Sequence, residues 1–258
     1  MKSFWFSRLQ LAICLVLAGL PGVSAGAAPE AAGTLLAGTP FATNYYVRQG
    51  GQPGPVVLVT GGIHGDEPAG AAAAEEVRHW TVARGRLVVI PRVNVTGLAA
   101  GRRTMSGVDA ALEDLNRDFP RVGKNESPRG TPALEIWRLV RDQKPAWLID
   151  LHESHTLHGS RPGSVGNSLL CCPSSDMTRA MPAMLDALNA PITDPRQKFI
   201  TPRPPRDGSL ARAAGEHLGI RALIVETTQV DQPSAVRIEQ HCRLVRGLLT
   251  YLGMGPSR

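Results

Sequence analysis

Cysteine is scarce in this sequence, and so are long apolar runs. Four cysteines in 258 residues are too few for a disulfide scaffold. The apolar stretch from Leu9 to Leu20 falls short of the ~20 residues that a membrane-spanning helix needs. A G-x-S-x-G pattern falls only on Gly22–Gly26, inside the leader segment. The folded region therefore has no serine nucleophile on a strand-to-helix elbow. No internal repeat and no linker divides the chain. At 43% apolar there is ample material for one α/β core of moderate size.

The N-terminus has the layout of a targeting segment. Lys2 and Arg8 form a positive n-region, Leu9 to Leu20 an apolar h-region, and Ala25-Gly26-Ala27 a small-residue cleavage site. This predicts a signal peptide over 1–27, a single mature domain over 28–258, export to a periplasm and no stable membrane insertion after cleavage. An uncleaved anchor is the competing reading. A lipoprotein reading through Cys14 is poorer, because bulky Ile13 precedes it. No acid precedes Glu30, so losing Lys2 and Arg8 takes the formal charge from +6 to +4. That mild excess suits a solvated surface or attraction to anionic substrates, and nucleic acid is not an expected partner. Cys171, Cys172 and Cys242 remain, and the sequence does not choose a pairing among them.

The chain is organised around Val56–Gly70, VVLVTGGIHGDEPAG. Val56–Val59 is a β-branched apolar run and predicts a buried strand. Gly61, Gly62 and Gly65 predict a tight turn. Pro68 suits the first turn of a helix running to Trp80. Further strands are expected at Asn44–Arg48, Leu87–Ile90, Trp147–Leu151, Ser168–Cys172 and Arg221–Glu226. Gly50–Pro55 reads as a turn and Val93–Arg103 as loop. Helices are expected from Thr131 (as N-cap), over Ser174–Asn189, Gly208–Leu218 and Pro233–Leu252. Ala190–Asp207 is a loop rich in proline and arginine, long enough to serve as a lid. Its Arg196, Arg203 and Arg206 either meet an anionic substrate or keep the loop solvated. Alternating strands and helices predict a single α/β domain, with a mixed, mostly parallel sheet and helices on both faces.

Ionisable residues then fall at the ends of three expected strands: His64 and Glu67 after the first, His152 after LIDL, and Glu226 after ALIV. In open α/β sheets these ends share one crevice. Imidazole and carboxylate three residues apart can face one Zn²⁺, which accepts both. His155 is an alternative ligand to His152. Glu153 reads as lining the mouth or supporting a ligand. His79, His158, His217 and His241 read as surface or capping residues.

The set HGDE, DLNRDFP, DLHE and VET resembles the zinc carboxypeptidase superfamily, and within it the branch of succinylglutamate desuccinylases and aspartoacylases. The resemblance runs from Val56 to Leu252. It implies His64, Glu67 and His152 as zinc ligands and Glu226 as the catalytic glutamate. It implies Asn116 and Arg117 as the pair that binds a substrate carboxylate, and Asp114 as the acid steadying His64. Arg103, with Arg102 as rival, matches the arginine that polarises the scissile carbonyl. No tyrosine lies between His152 and Glu226, so the residue that digestive carboxypeptidases close over substrate has no counterpart.

These residue types suit hydrolysis of an amide beside a free carboxylate. The resemblance implies deacylation of N-acyl amino acids as the expected activity, with Zn²⁺ as cofactor. The alternative is an exported metallocarboxypeptidase acting on cell-wall or other short peptides. A reading of another class is an inactive binding protein on the same scaffold, against which the presence of Glu226 argues.

Overall fold

The apolar runs become the centre of one seven-stranded sheet in the order β1-β2-β4-β3-β5-β7-β6. The computed structural model describes Met1 and residues 32–255; apart from Met1, the expected signal peptide lies outside the described residues. The strands are β1 (Gly33–Leu35), β2 (Thr43–Gln49), β3 (Gln52–Gly61), β4 (Arg84–Ile90), β5 (Trp147–Ser154), β6 (Ser168–Cys171) and β7 (Arg221–Thr228). The inner four, β4, β3, β5 and β7, are parallel, and β1, β2 and β6 are antiparallel at the edges. The expected fold class is thus the observed one. Val57, Leu58 and Val59 are all fully buried, as parallel strands covered on both faces require.

The helices are α1 (Pro68–Val77), α2 (Val95–Ala100), α3 (Gly130–Gln143), α4 (Ser175–Asn189), α5 (Leu210–Leu218) and α6 (Ser234–Tyr251). Residues of α1, α4 and α6 pack on one face of the sheet with Val59 and Ile149. Those of α3 and α5 pack on the other with Leu58 and Leu148. Among the described residues, no helix is long and apolar enough to cross a membrane.

Several expectations are corrected. Only Gly50 and Gly51 separate β2 from β3, because β3 begins at Gln52 and absorbs the rest of the expected turn through an irregular register. The segment Val93–Arg103 holds a short helix, α2. Asn94 Oδ1 accepts from Gly97 N at 2.8 Å and left-handed Gly101 ends it, so capping makes a helix where apolar periodicity is too short to register. Arg129, not Thr131, is the N-cap of α3, and Pro132 still falls in the first turn. His241 is fully buried, with Nε2 3.2 Å from Thr227 Oγ1, and is no surface residue. Burial pulls its imidazole down to about 3, so it packs as a neutral group.

Cys171, Cys172 and Cys242 are all free thiols. Cys172 Sγ lies against Ala211 O of α5, whereas Cys242 Sγ lies against Ala73 O of α1, across the sheet. That placement rules out a bridge between them.

Candidate metal centre

The turn after β3 carries the first two residues of the site. Gly62 sits at φ +69°, a conformation that costs glycine little, and the chain reverses there toward α1. Pro68 occupies the start of α1, and Glu67 stands at its N-cap without using its carboxylate as a cap. The open donor at that helix end, Ala69 N, is taken instead by Glu153 Oε2 from β5 at 2.7 Å. Glu67 is thereby left free to face inward. Gly70 is needed for the same approach: a Cβ there would lie 2.3 Å from Leu151 O, so α1 rests directly on β5.

His64, Glu67 and His152 are all buried, and one ligand atom from each lies within 4.8 Å of the others. The Nδ1 atoms of His64 and His152 each sit 2.7 Å from a different oxygen of the Glu67 carboxylate. Burial alone would push the Glu67 carboxyl up, but the two imidazoles hold it well below the ordinary range. Burial likewise pulls His152 down, and Asp150 and Glu67 outweigh it to leave the imidazole well above its usual value.

The outward nitrogens meet acids as well. His152 Nε2 lies 2.9 Å from Asp150 Oδ2, and Asp150 Oδ1 accepts from Thr60 Oγ1 at 2.7 Å. His64 Nε2 approaches Asp114 Oδ1 at 3.4 Å without hydrogen-bond alignment, and it has no other partner among the described residues. Two imidazoles whose near nitrogens converge with a carboxylate, and whose far nitrogens face carboxylates, make a donor set that fits zinc. His152 lies within β5 rather than after it. Buried polar residues continue the strand to Ser154, each with a partner.

Glu226 stands beside His152 in register on β7 and lines the same cavity, of about 440 Å³. Burial pushes its carboxyl up to about 7. Arg103 also lines the cavity; its Nη1 lies 3.2 Å from His64 Nδ1 and its Nη2 donates to Asp114 Oδ2 at 3.1 Å. Arg102 is exposed and lies outside it. Arg117 is half-buried in the cavity wall with Nη1 on Asn116 O. Asn116 is buried; its Oδ1 accepts from Leu210 N at 2.9 Å and its Nδ2 lies 3.2 Å from His152 Nε2. His155 is exposed and bonds Gln229 and Asp66, away from the three clustered groups.

Sequence reasoning missed two parts of this arrangement. Asp150 could have been found from strand alternation, since residues i and i+2 share a face and Asp150 precedes His152 by two. The capping role of Glu153 gave no sequence signal, because its partner Ala69 is 84 residues away.

The family described as succinylglutamate desuccinylase/aspartoacylase catalytic domain matches residues 53–252. A succinylglutamate desuccinylase/aspartoacylase from Rhodobacter sphaeroides has a similar structure, with TM-score 0.61 and 22% identity over 84% of this chain and 60% of that one. The meso-diaminopimelate-bound form of Csd4, a D,L-carboxypeptidase of Helicobacter pylori, is similar with TM-score 0.63 and 21% identity over 78% of this chain and 51% of that one. Both likenesses are of fold. In sequence, 70 residues are 41% identical to N-alpha-acetyl-L-2,4-diaminobutyric acid deacetylase of Halomonas elongata, which is 26% of this chain and 20% of that protein. The chain thus matches less than two thirds of the length of each of these relatives.

Proposed function

This chain belongs to the succinylglutamate desuccinylase/aspartoacylase catalytic-domain family, and from that membership we propose that it is a zinc-dependent hydrolase cleaving an amide bond next to a free carboxylate. The observation that carries the reading is the convergence of His64, Glu67 and His152 within 4.8 Å, on the cavity that Glu226 also lines. His64, Glu67 and His152 would hold the ion. A bound zinc supplies Lewis-acid chemistry, polarising a carbonyl and lowering the pKa of a water molecule to roughly 7.

The remaining roles fall to this chain's own residues. Glu226 takes the proton of the attacking water and passes it to the leaving amine, a task that suits a carboxyl near neutrality. Arg103, steadied by Asp114, donates to the oxyanion that develops on the scissile carbonyl. Arg117 offers a planar fork to the substrate's carboxylate. Asn116 assists through its NH₂, because its oxygen is taken by Leu210 N. Asp150 fixes the orientation of His152.

Deacylation of a small N-acyl amino acid is the leading reading within this class, supported by the family match and by the deacetylase from Halomonas elongata. Hydrolysis of short peptides is the second, supported by the likeness to Csd4, a D,L-carboxypeptidase. Export of residues 28–258 to a periplasm is part of the same proposal and would bring the protein to wall peptides. A side-by-side screen of zinc-loaded protein on N-acetyl amino acids and on short peptides tests it. Turnover of acyl amino acids but not peptides is expected; turnover of peptides alone selects the second reading. No turnover of either by protein that binds zinc leaves a binding protein on this scaffold.

A further inference from the structure

The pole of the molecule opposite the cavity is basic. The cavity lies at the carboxyl ends of β3, β5 and β7. At the amino ends, where β3 starts its pairing with β4 at Gln52 beside Arg84, α1 and α3 both finish. Arg48 Nε donates to Arg78 O at the end of α1, at 3.2 Å. Arg84 Nε donates to Pro53 O at 3.0 Å, and Arg86 Nη2 to Gln143 O at the end of α3, at 3.2 Å. Each guanidinium gives one N–H to a backbone carbonyl and keeps its charge uncompensated. Lys144 follows at the C-cap of α3, and Arg246 projects from α6.

Carboxylates at this pole are few or already engaged. Glu75 is bound to Arg78 and Glu239 to Arg243. Glu76 Oε2 accepts from Cys242 Sγ at 3.6 Å. Asp142, exposed beside Arg141, is the remaining acid of the last turn of α3. Among the described residues, Arg48, Arg84, Arg86, Lys144 and Arg246 therefore share one face without a paired acid.

Aromatic rings stand among these cations. The Arg246 guanidinium lies over the Trp80 ring at 4.9 Å from its centroid, and that of Arg78 over Tyr46 at 4.4 Å. The Trp80–Arg246 stack borders a hollow of about 360 Å³, lined also by His79, Thr81 and Leu249. Residues after α6 join the same face: Ala83 N donates to Gly255 O at 3.2 Å. A Cβ on Gly253 would lie 4.0 Å from Arg84 Nη1. Tyr251, two residues earlier, is exposed. Cations with an indole and a phenol among them suit the headgroup level of a bilayer, where charge meets phosphate and aromatic rings sit beside the glycerol esters. A soluble polyanion would match the charges and leave Trp80 and its hollow unused.

We propose that this pole docks on an anionic phospholipid surface, with the metal-site cavity facing away from the bilayer. Charge complementarity between the five unpaired cations and lipid phosphates carries the proposal. It does not rest on the hydrolase reading, because no residue of the cavity takes part.

Co-sedimentation with vesicles tests it, using the full chain and, separately, the protein from Ala28 onward, whose thermal unfolding shows that it folds. The protein from Ala28 onward should bind vesicles containing about one third phosphatidylglycerol at least tenfold more tightly than pure phosphatidylcholine, since each cation near such a surface contributes roughly a factor of five. The preference should vanish in about 1 M salt, where the Debye length falls to ~3 Å. Arg84→Gln/Arg246→Gln should weaken binding of both proteins to the anionic vesicles about tenfold or more. Arg246→Gln/Lys144→Gln serves if thermal unfolding shows the first variant to be unstable. Trp137 and Trp147 are buried, so in the protein from Ala28 onward quenching by brominated lipid reads Trp80 and should be lost in Trp80→Phe. Absent binding, equal affinity for neutral and anionic vesicles, binding that survives the double substitution, or bound protein whose Trp80 is not quenched overturns the proposal. Tighter binding to heparin than to vesicles of equal charge overturns it in favour of an anionic polymer.

Discussion

At the scale of single residues, the proposed hydrolysis turns on which groups hold the ion and which moves the proton. Glu226 contacts none of the three clustered groups through a hydrogen bond that fixes them, and it stands beside His152 on the neighbouring strand. Glu226→Gln should therefore keep zinc at one per chain while kcat falls by about a hundredfold or more, as loss of a general base does. Near-normal turnover would refute that role. The thiols offer a check far from the chemistry. Burial pushes Cys172 up to about 11 and Cys242 up to about 12. Thiolate is the reactive form, so at pH 8 both should resist iodoacetamide in the folded protein and react once it is denatured. Mass spectrometry of the alkylated protein measures this, and rapid labelling of native Cys242 would contradict its placement between α1 and α6.

At the scale of elements, the site depends on α1 being held against β5, and α6 takes part. Glu153, buried in β5, caps α1 at Ala69 N and accepts from Arg237 of α6. Its backbone N also donates to Glu67 Oε2 at 3.1 Å. Removing Arg237 leaves a buried carboxylate unpaired, which costs about 3–5 kcal/mol. That is a large share of a typical domain's stability of about 5–15 kcal/mol, so Arg237→Ala reads mainly as unfolding. Arg237→Lys keeps a charge and is the more informative variant. It should remain folded yet bind zinc about tenfold or more weakly, in line with other supports of metal ligands, as read by competition with a chromogenic chelator. Wild-type affinity in that variant would show that α6 does not position Glu67.

At the scale of the whole molecule, much of the fold was legible because its centre is made of short β-branched runs such as VVLV and LVVI, punctuated by glycine and proline. The crevice at the carboxyl ends of β3, β5 and β7 followed from their being parallel, and it brings together His64, Glu67, His152 and Glu226 as their positions implied. What escaped were features settled by partners distant in sequence. Strand β5 continues past the expected end at Leu151 through His152 and Glu153, because each finds a buried partner distant in sequence. His241 is buried because α6 turns that face to the sheet. Arg196 is tied to Asp194, whereas Arg203 and Arg206 line the cavity, a split that the loop's composition does not show. The central claim is that His64 and His152, 88 positions apart in the chain, share one ion with Glu67. Zinc stoichiometry by mass spectrometry, after dialysis against limiting zinc, tests it directly. One zinc per chain is expected in the wild type and close to none in His64→Ala and in His152→Ala. One zinc per chain retained by either folded variant would contradict the account.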